Sequence, residues 1–126
     1  MPVFRSNLKS MQIQDAERTT IRLARFARSM SILKNSDCVL SFSDKQITLN
    51  FGTNQTESIT RSLPADVKIE SFQNTANSRR RSSEGRDVTF YPSGMNDGFR
   101  ITFSAGSDLR SEIVCSPVTA KTTVRN

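Results

Sequence analysis

The first 36 residues of this chain carry the pattern of one long α-helix. Neither glycine nor internal proline occurs between Val3 and Asn35, and the segment is rich in helix-forming Ala, Arg, Leu, Met and Gln. Residues 35–37 (Asn-Ser-Asp) are a polar stop signal. Apolar or small residues recur at every third or fourth position, which predicts one packing stripe: Leu8, Met11, Ala16, Thr20, Leu23, Ala27 and Met30. We therefore predict a helix over residues 1–36.

The periodicity changes to two at Cys38, which predicts strands from there to the end. Cys38, Leu40 and Phe42 alternate with other residues, and 47–51 alternates in the same way after the polar break at Asp44 and Lys45. Further alternating segments follow: 58–62, 67–70, 88–90, 99–103, 113–115 and 119–124. Strands joined by short turns cannot be parallel. We expect an α+β fold in one domain (1–126), in which the long helix packs on antiparallel sheets of about seven short strands in 37–126.

Positive charge is concentrated in the helix. The formal net charge is +6, and residues 1–35 supply +5 of it from seven basic and two acidic side chains. Arg18, Arg22 and Arg25 share one face of the predicted helix. Such a face is either simply solvated or a contact surface for an acidic partner.

Two further basic groups suggest phosphate contacts. Arg79, Arg80 and Arg81 lie in a polar segment, 73–86, that we expect to be a mobile loop, and Lys121 and Arg125 lie near the C-terminus. Stacking residues are scarce around them, because the chain has one tyrosine and no tryptophan. Nucleic-acid binding is therefore a possible but unfavoured function.

The composition argues against an enzyme. The chain has no histidine, which excludes Ser-His-Asp and Cys-His arrangements and removes the commonest metal ligand. Glycine-rich phosphate-binding motifs are absent. Asp97 and Asp108 do not have the spacing of a calcium-binding helix-loop-helix, so we interpret them as solvated loop carboxylates. We expect no catalytic residue, no bound metal and no cofactor.

The two cysteines leave alternatives open. Cys38 and Cys115 both fall on the apolar side of predicted strands. They are compatible with one disulfide in an oxidising compartment, or with two buried thiols.

The segment 88–94 (Val-Thr-Phe-Tyr-Pro-Ser-Gly) carries a family resemblance. Phe90, Pro92 and Gly94 match a strand that ends in Phe-x-Pro-x-Gly and is followed by a turn and a second alternating strand. With the helix-first order, and with segments 25–29, 63–69 and 114–119, this pattern resembles the H-class pseudopilins of type II secretion systems and the related type IV minor pilins. Proline suits a strand end and glycine suits the turn that follows.

The resemblance implies a structural role. H-class subunits join a minor-subunit complex near the tip of a periplasmic filament and help to move folded proteins outward. It implies other pseudopilins or pilins as partners, and an inner-membrane anchor with this domain in the periplasm. The anchor segment is missing, so we expect a chain truncated before Met1. The alternatives are a type IV minor pilin that binds DNA during uptake, and an unrelated α+β binding module.

Overall fold

One helix followed by eight strands makes up the part of the chain that the structure describes. The computed structural model describes residues 2–76, 86–106, 109–119 and 121–125, with 2–7, 55 and 125 described by their backbone only. The elements are α1 (Pro2–Leu33), β1 (Cys38–Phe42), β2 (Gln46–Phe51), β3 (Glu57–Ser62), β4 (Val67–Asn74), β5 (Asp87–Phe90), β6 (Phe99–Ala105), β7 (Leu109–Cys115) and β8 (Thr122–Arg125), with a short 3-10 turn at Thr53–Gln55. The predicted α+β fold is confirmed. The eight strands of the described residues agree with the expected number of about seven, and the predicted C-terminal segment 119–124 contains β8, which pairs with β7.

Helix α1 is buried along only part of the predicted stripe. Its buried residues repeat every three or four positions: Ile13, Ala16, Thr20, Leu23, Ala24, Ala27 and Ser31. Leu8 and Met11 were expected in the stripe but are 54% and 65% exposed. The sheets therefore cover the helix only from about Ile13 onward.

The helix ends at Leu33, three residues before the predicted boundary. Asn35 has a φ of 51°, in the left-handed region. The amide of Ser36 donates to the carbonyl of Ser31 at 3.2 Å, and the amide of Asn35 donates to the carbonyl of Ile32 at 3.3 Å. This pair of bonds is a Schellman motif, in which asparagine tolerates the left-handed conformation that most residues avoid. The polar residues 35–37 therefore end the helix because Asn35 adopts the left-handed conformation that the motif requires.

The first sheet has the strand order β3-β2-β1-β5 and is entirely antiparallel. β1 and β2 form the predicted hairpin, with Leu40 opposite Leu49 and Phe42 opposite Ile47. Alternate residues of β1 and β2 are buried, as the period of two requires. β3 is an edge strand in which only Ile59 is even half-buried.

The second sheet has the order β4-β6-β7-β8 and is also antiparallel. The alternation predicted for 99–103 is present: Phe99, Ile101 and Phe103 are all fully buried. β4 runs to Asn74, so the expected loop over 73–86 begins later than predicted. The rest of that expectation concerns 77–85, which lie outside the described residues.

Aromatic side chains join the layers in the core. Phe42 of the first sheet lies 5.3 Å from Phe72 and 5.6 Å from Phe99 of the second sheet, between ring centroids. Phe26 of α1 meets Phe51 edge to face at 5.5 Å. Rings at these separations gain attraction beyond their buried area. The helix and both sheets consequently share one hydrophobic core.

Candidate assembly surface

Three arginines occupy the outer side of α1. Arg18, Arg22 and Arg25 are all exposed, and they lie roughly opposite the buried residues Ala16 and Ala27 around the helix axis. No ion pair involves any of the three within the described residues. Their charges are therefore available to a partner. This surface, called here the arginine face, matches the face predicted from the sequence.

The exposed apolar residues of α1 lie at its two ends. Leu8 and Met11 precede the part of the helix that the sheets cover, and Ile32 and Leu33 lie in its last turn. Single exposed apolar residues are common, but two neighbouring ones on an uncovered helix end favour a contact with another helix or chain.

The basic residues near the C-terminus lie apart from the arginine face. Lys121 is exposed and precedes β8, the edge strand of the second sheet. Arg125 pairs with Glu112 through the β7–β8 ladder, and its side chain is not described. Arg22, in contrast, lines a groove beside β3 at the edge of the first sheet. The predicted contacts Arg79, Arg80 and Arg81 lie outside the described residues.

The segment from Phe90 to Gly94 forms a closed turn. Phe90 is fully buried opposite Cys38. The amide of Gly94 donates to the carbonyl of Tyr91 at 2.9 Å, which places Pro92 second in the turn. Gly94 has a φ of 91°, a conformation that strains any residue with a β-carbon. These residues therefore shape the chain; their side chains present no reactive group.

Asp97 is a polar centre that the sequence interpretation missed. Its carboxylate accepts hydrogen bonds from the side-chain amide of Asn74 (3.1 Å), the backbone amide of Thr89 (3.0 Å) and the hydroxyl of Tyr91 (2.6 Å). The Asn74 amide also donates to the carbonyl of Asp87 at 2.7 Å. This network ties β4 of the second sheet to β5 of the first. Asp97 is therefore not a solvated loop carboxylate; Asp108 lies outside the described residues.

Three groups among the described residues have raised pKa values: Tyr91, Cys38 and Cys115. The hydrogen bond to Asp97 raises the pKa of Tyr91 to about 12, because ionisation of the phenol would put two negative charges side by side. Burial raises the pKa of Cys115 to about 12 and also raises the pKa of Cys38. Protonated, buried thiols are poor nucleophiles and poor metal ligands.

Cys38 and Cys115 are both buried and both free thiols in the structure. Cys38 lies on β1 next to Phe90, and Phe90 in turn bridges to Asn96. The sulfur of Cys115 lies 3.9 Å from the side-chain oxygen of Asn96.

The described residues contain no cluster of three or more His, Cys, Asp or Glu side chains that could hold a metal ion. Among the same residues, no helix is long and apolar enough to cross a membrane. The features that could contact another protein are therefore surfaces: the arginine face, the exposed apolar residues Leu8 and Met11, and the edge strands of the two sheets.

The family model "Type II transport protein GspH" matches residues 17–119, which include most of α1 and β1 to β7. The chain belongs to the GspH family. The resemblance to H-class pseudopilins drawn from 88–94 and the helix-first order is thereby confirmed. This is a family of structural subunits that assemble with other pseudopilins.

Solved structures agree with this assignment at the level of the fold. Two structures of the minor pseudopilin EpsH from the type II secretion system of Vibrio cholerae superpose on this GspH-family chain with TM-scores of 0.65 and 0.66. Identity is 9% and 8%; the matches cover 89% and 90% of this chain and 94% and 92% of EpsH. No curated protein sequence matches the chain.

Proposed function

We propose that this chain is a minor structural subunit of a type II secretion pseudopilus, which contributes to assembly of the tip complex and to protein export without catalysing a reaction. Membership of the GspH family, matched over 17–119, carries the proposal. The domain would lie in the periplasm, held at the inner membrane by a segment that precedes it in the full-length protein.

The surface of α1 supports this role. The arginine face is exposed and has no ion-pair partner in the described part of the chain. Acidic side chains on neighbouring subunits would meet it and set the register of the contact, since charge complementarity contributes specificity and association rate more than affinity. Leu8 and Met11 would add an apolar contact where the sheets leave the helix uncovered.

The test replaces the arginine face and compares it with a matched surface. The full-length protein carrying Arg18→Glu, Arg22→Glu and Arg25→Glu is expressed in cells that lack the native subunit. Export of a type II substrate and co-isolation of the other pseudopilins are then measured. The control replaces exposed basic residues outside α1 with the same change of charge: Lys45→Glu, Lys68→Glu and Arg100→Glu.

We expect the helix variant to lose both co-isolation and export, and the control to retain them, with unchanged circular dichroism in both proteins. Normal export by the helix variant would refute the role of the arginine face. Equal loss in both variants would show a general charge effect and would also refute it.

DNA binding, the alternative function, has weaker support. A DNA site needs basic residues gathered along one path, usually with stacking aromatic rings. Lys121 and Arg22 flank different sheets, and Tyr91 is held by Asp97. If DNA is nevertheless bound, affinity will fall steeply with salt and will be lost when Arg79, Arg80 and Arg81 are changed to alanine.

A further inference from the structure

A groove runs between α1 and the edge strand β3. It has a volume of 420 Å³ and an apolar floor from both elements, with an arginine contributed by each. Its lining residues are Thr19, Arg22, Leu23, Phe26, Ile59 and Arg61. Ile59 is the one β3 residue that is not fully exposed, and it lies in the middle of the strand.

The outer edge of β3 is open among the described residues. Glu57–Ser62 pairs along its whole length with β2 and with no other described strand. The opposite edge of the same sheet is covered, because the amide of Asp97 and the carbonyl of Thr89 bond across it at 3.1 Å. An open six-residue edge is a template for an incoming strand.

Two arginines beside this edge have no ion-pair partner among the described residues, while Glu57, at the start of β3, pairs with Lys34. Arg22 and Arg61 are both exposed, and neither takes part in an ion pair in the described regions. The guanidinium of Arg61 instead donates to the carbonyl of the preceding residue, Thr60, at 3.1 Å. A carboxylate from outside the chain could replace this weak local bond with a charge-assisted one.

We propose that the edge of β3 and its groove bind an extended, acidic segment of another protein by strand addition. The segment would pair its backbone with β3, place an apolar side chain against Ile59 and Phe26, and set carboxylates two residues apart toward Arg61 and Arg22. Alternate side chains of a strand point to the same face, so one segment can satisfy all three contacts. This surface overlaps the arginine face at Arg22 and otherwise consists of different residues.

The partner is a different chain rather than a second copy, because this chain has a net charge of +6 and two of its arginines, Arg22 and Arg61, lie at the contact. Like charges brought together at an interface oppose association. Self-pairing through β3 is therefore an outcome that the experiment must detect.

The probe is a blocked hexapeptide with the order glutamate, threonine, glutamate, threonine, valine, threonine, together with its reverse to sample both strand directions. It is titrated into the labelled chain at low salt and followed by heteronuclear NMR and amide hydrogen exchange. A peptide with lysine in place of glutamate is the control ligand. Sedimentation of the chain without peptide measures self-association.

We expect saturable shifts confined to β3 and to Thr19–Phe26 of α1, slower amide exchange along β3, and no binding of the lysine peptide. Arg22→Glu with Arg61→Glu should weaken binding at least about tenfold, whereas Lys68→Glu with Arg100→Glu should change it less than about twofold. Arg61→Glu alone should weaken binding while leaving the arginine face intact.

Three results would overturn the proposal: no saturable shift at millimolar peptide, equal weakening by both charge reversals, or shifts on β4 or β8 instead of β3. Self-association through β3 would assign the edge to a second copy and would also overturn it. The export test is separate, because assembly through the arginine face does not require an occupied β3 edge.

Discussion

The carboxylate of Asp97 allows the sharpest prediction about stability. Replacing Asp97 with alanine removes one acceptor shared by Asn74, Thr89 and Tyr91. The Tyr91 hydroxyl is exposed enough to bond water, and the Asn74 amide keeps its bond to the Asp87 carbonyl. Most of the lost hydrogen-bond energy therefore comes from the Thr89 amide, which loses its acceptor, and from the one bond that the Asn74 side chain makes to Asp97.

A hydrogen bond to a charged acceptor contributes about 1.5–3 kcal/mol, and a buried donor left without a partner costs a similar amount. We therefore expect Asp97→Ala to lower the free energy of unfolding by about 3 kcal/mol, and Asp97→Asn by about half as much, because its amide oxygen still accepts. Urea unfolding followed by circular dichroism measures both values. The control is Asp87→Ala, which removes an exposed carboxylate from β5, the strand that carries Thr89; it should cost less than about 0.5 kcal/mol.

Tyr91 reports the same network independently, since it is the only tyrosine in the chain and there is no tryptophan. Its pKa is raised to about 12 in the folded protein, against about 10 for a free phenol. The stabilisation linked to this bond is therefore present below about pH 10 and is lost as the pH rises toward about 12. In Asp97→Ala, the tyrosinate absorbance should appear at a lower pH, closer to the ordinary value.

Two outcomes would refute this account of Asp97. One is a stability loss no larger than that of Asp87→Ala. The other is a tyrosine titration that Asp97→Ala leaves in place while the protein remains folded.

The remaining predictions concern the cysteines and two backbone positions. In the native protein, a thiol reagent should not react with Cys38 or Cys115, because both are buried. After denaturation without reductant, the reagent should detect two free thiols per chain; if it detects none, the two cysteines form a disulfide. Asn35→Val should lower the unfolding free energy by about 1 kcal/mol and Asn35→Gly should not, because only the branched side chain strains the left-handed helix end; equal losses in urea unfolding would contradict this. Gly94→Ala should also lower the unfolding free energy by about 1 kcal/mol because of its φ of 91°. A β-carbon there would lie no closer than 3.5 Å to other groups, so the loss would come from backbone strain and not from a clash. An unchanged urea unfolding curve would argue against strain at this turn.

Local patterns were sufficient where the physics is local. The change of period at Cys38 separates helix from strands because side-chain direction repeats every 3.6 residues in one and every two in the other. The stop at 35–37 and the turn at Gly94 are backbone preferences of single residues. The absence of histidine removes whole classes of chemistry without any structure. The resemblance to H-class pseudopilins rested instead on the family residues matched at Phe90, Pro92 and Gly94 and on the order of the segments.

Contacts between distant parts of the chain were not predictable in this way. Periodicity shows which residues of α1 share a face, but not how far the sheets reach along it, so Leu8 and Met11 were assigned to the core although they are exposed. Asp97 has no local signature, because its partner Asn74 lies 23 positions away on the other sheet.

The sequence by itself therefore determined the helix-first order, the strand segments and the exclusion of histidine-based catalysis. Only the tertiary structure decided which strands lie at the edges, which charges face one groove and where the half-buried carboxylate of Asp97 links the sheets. The physical reason is that strand pairing and helix docking depend on shape and burial summed over the whole core, whereas periodicity and turn preference are properties of a few neighbouring residues.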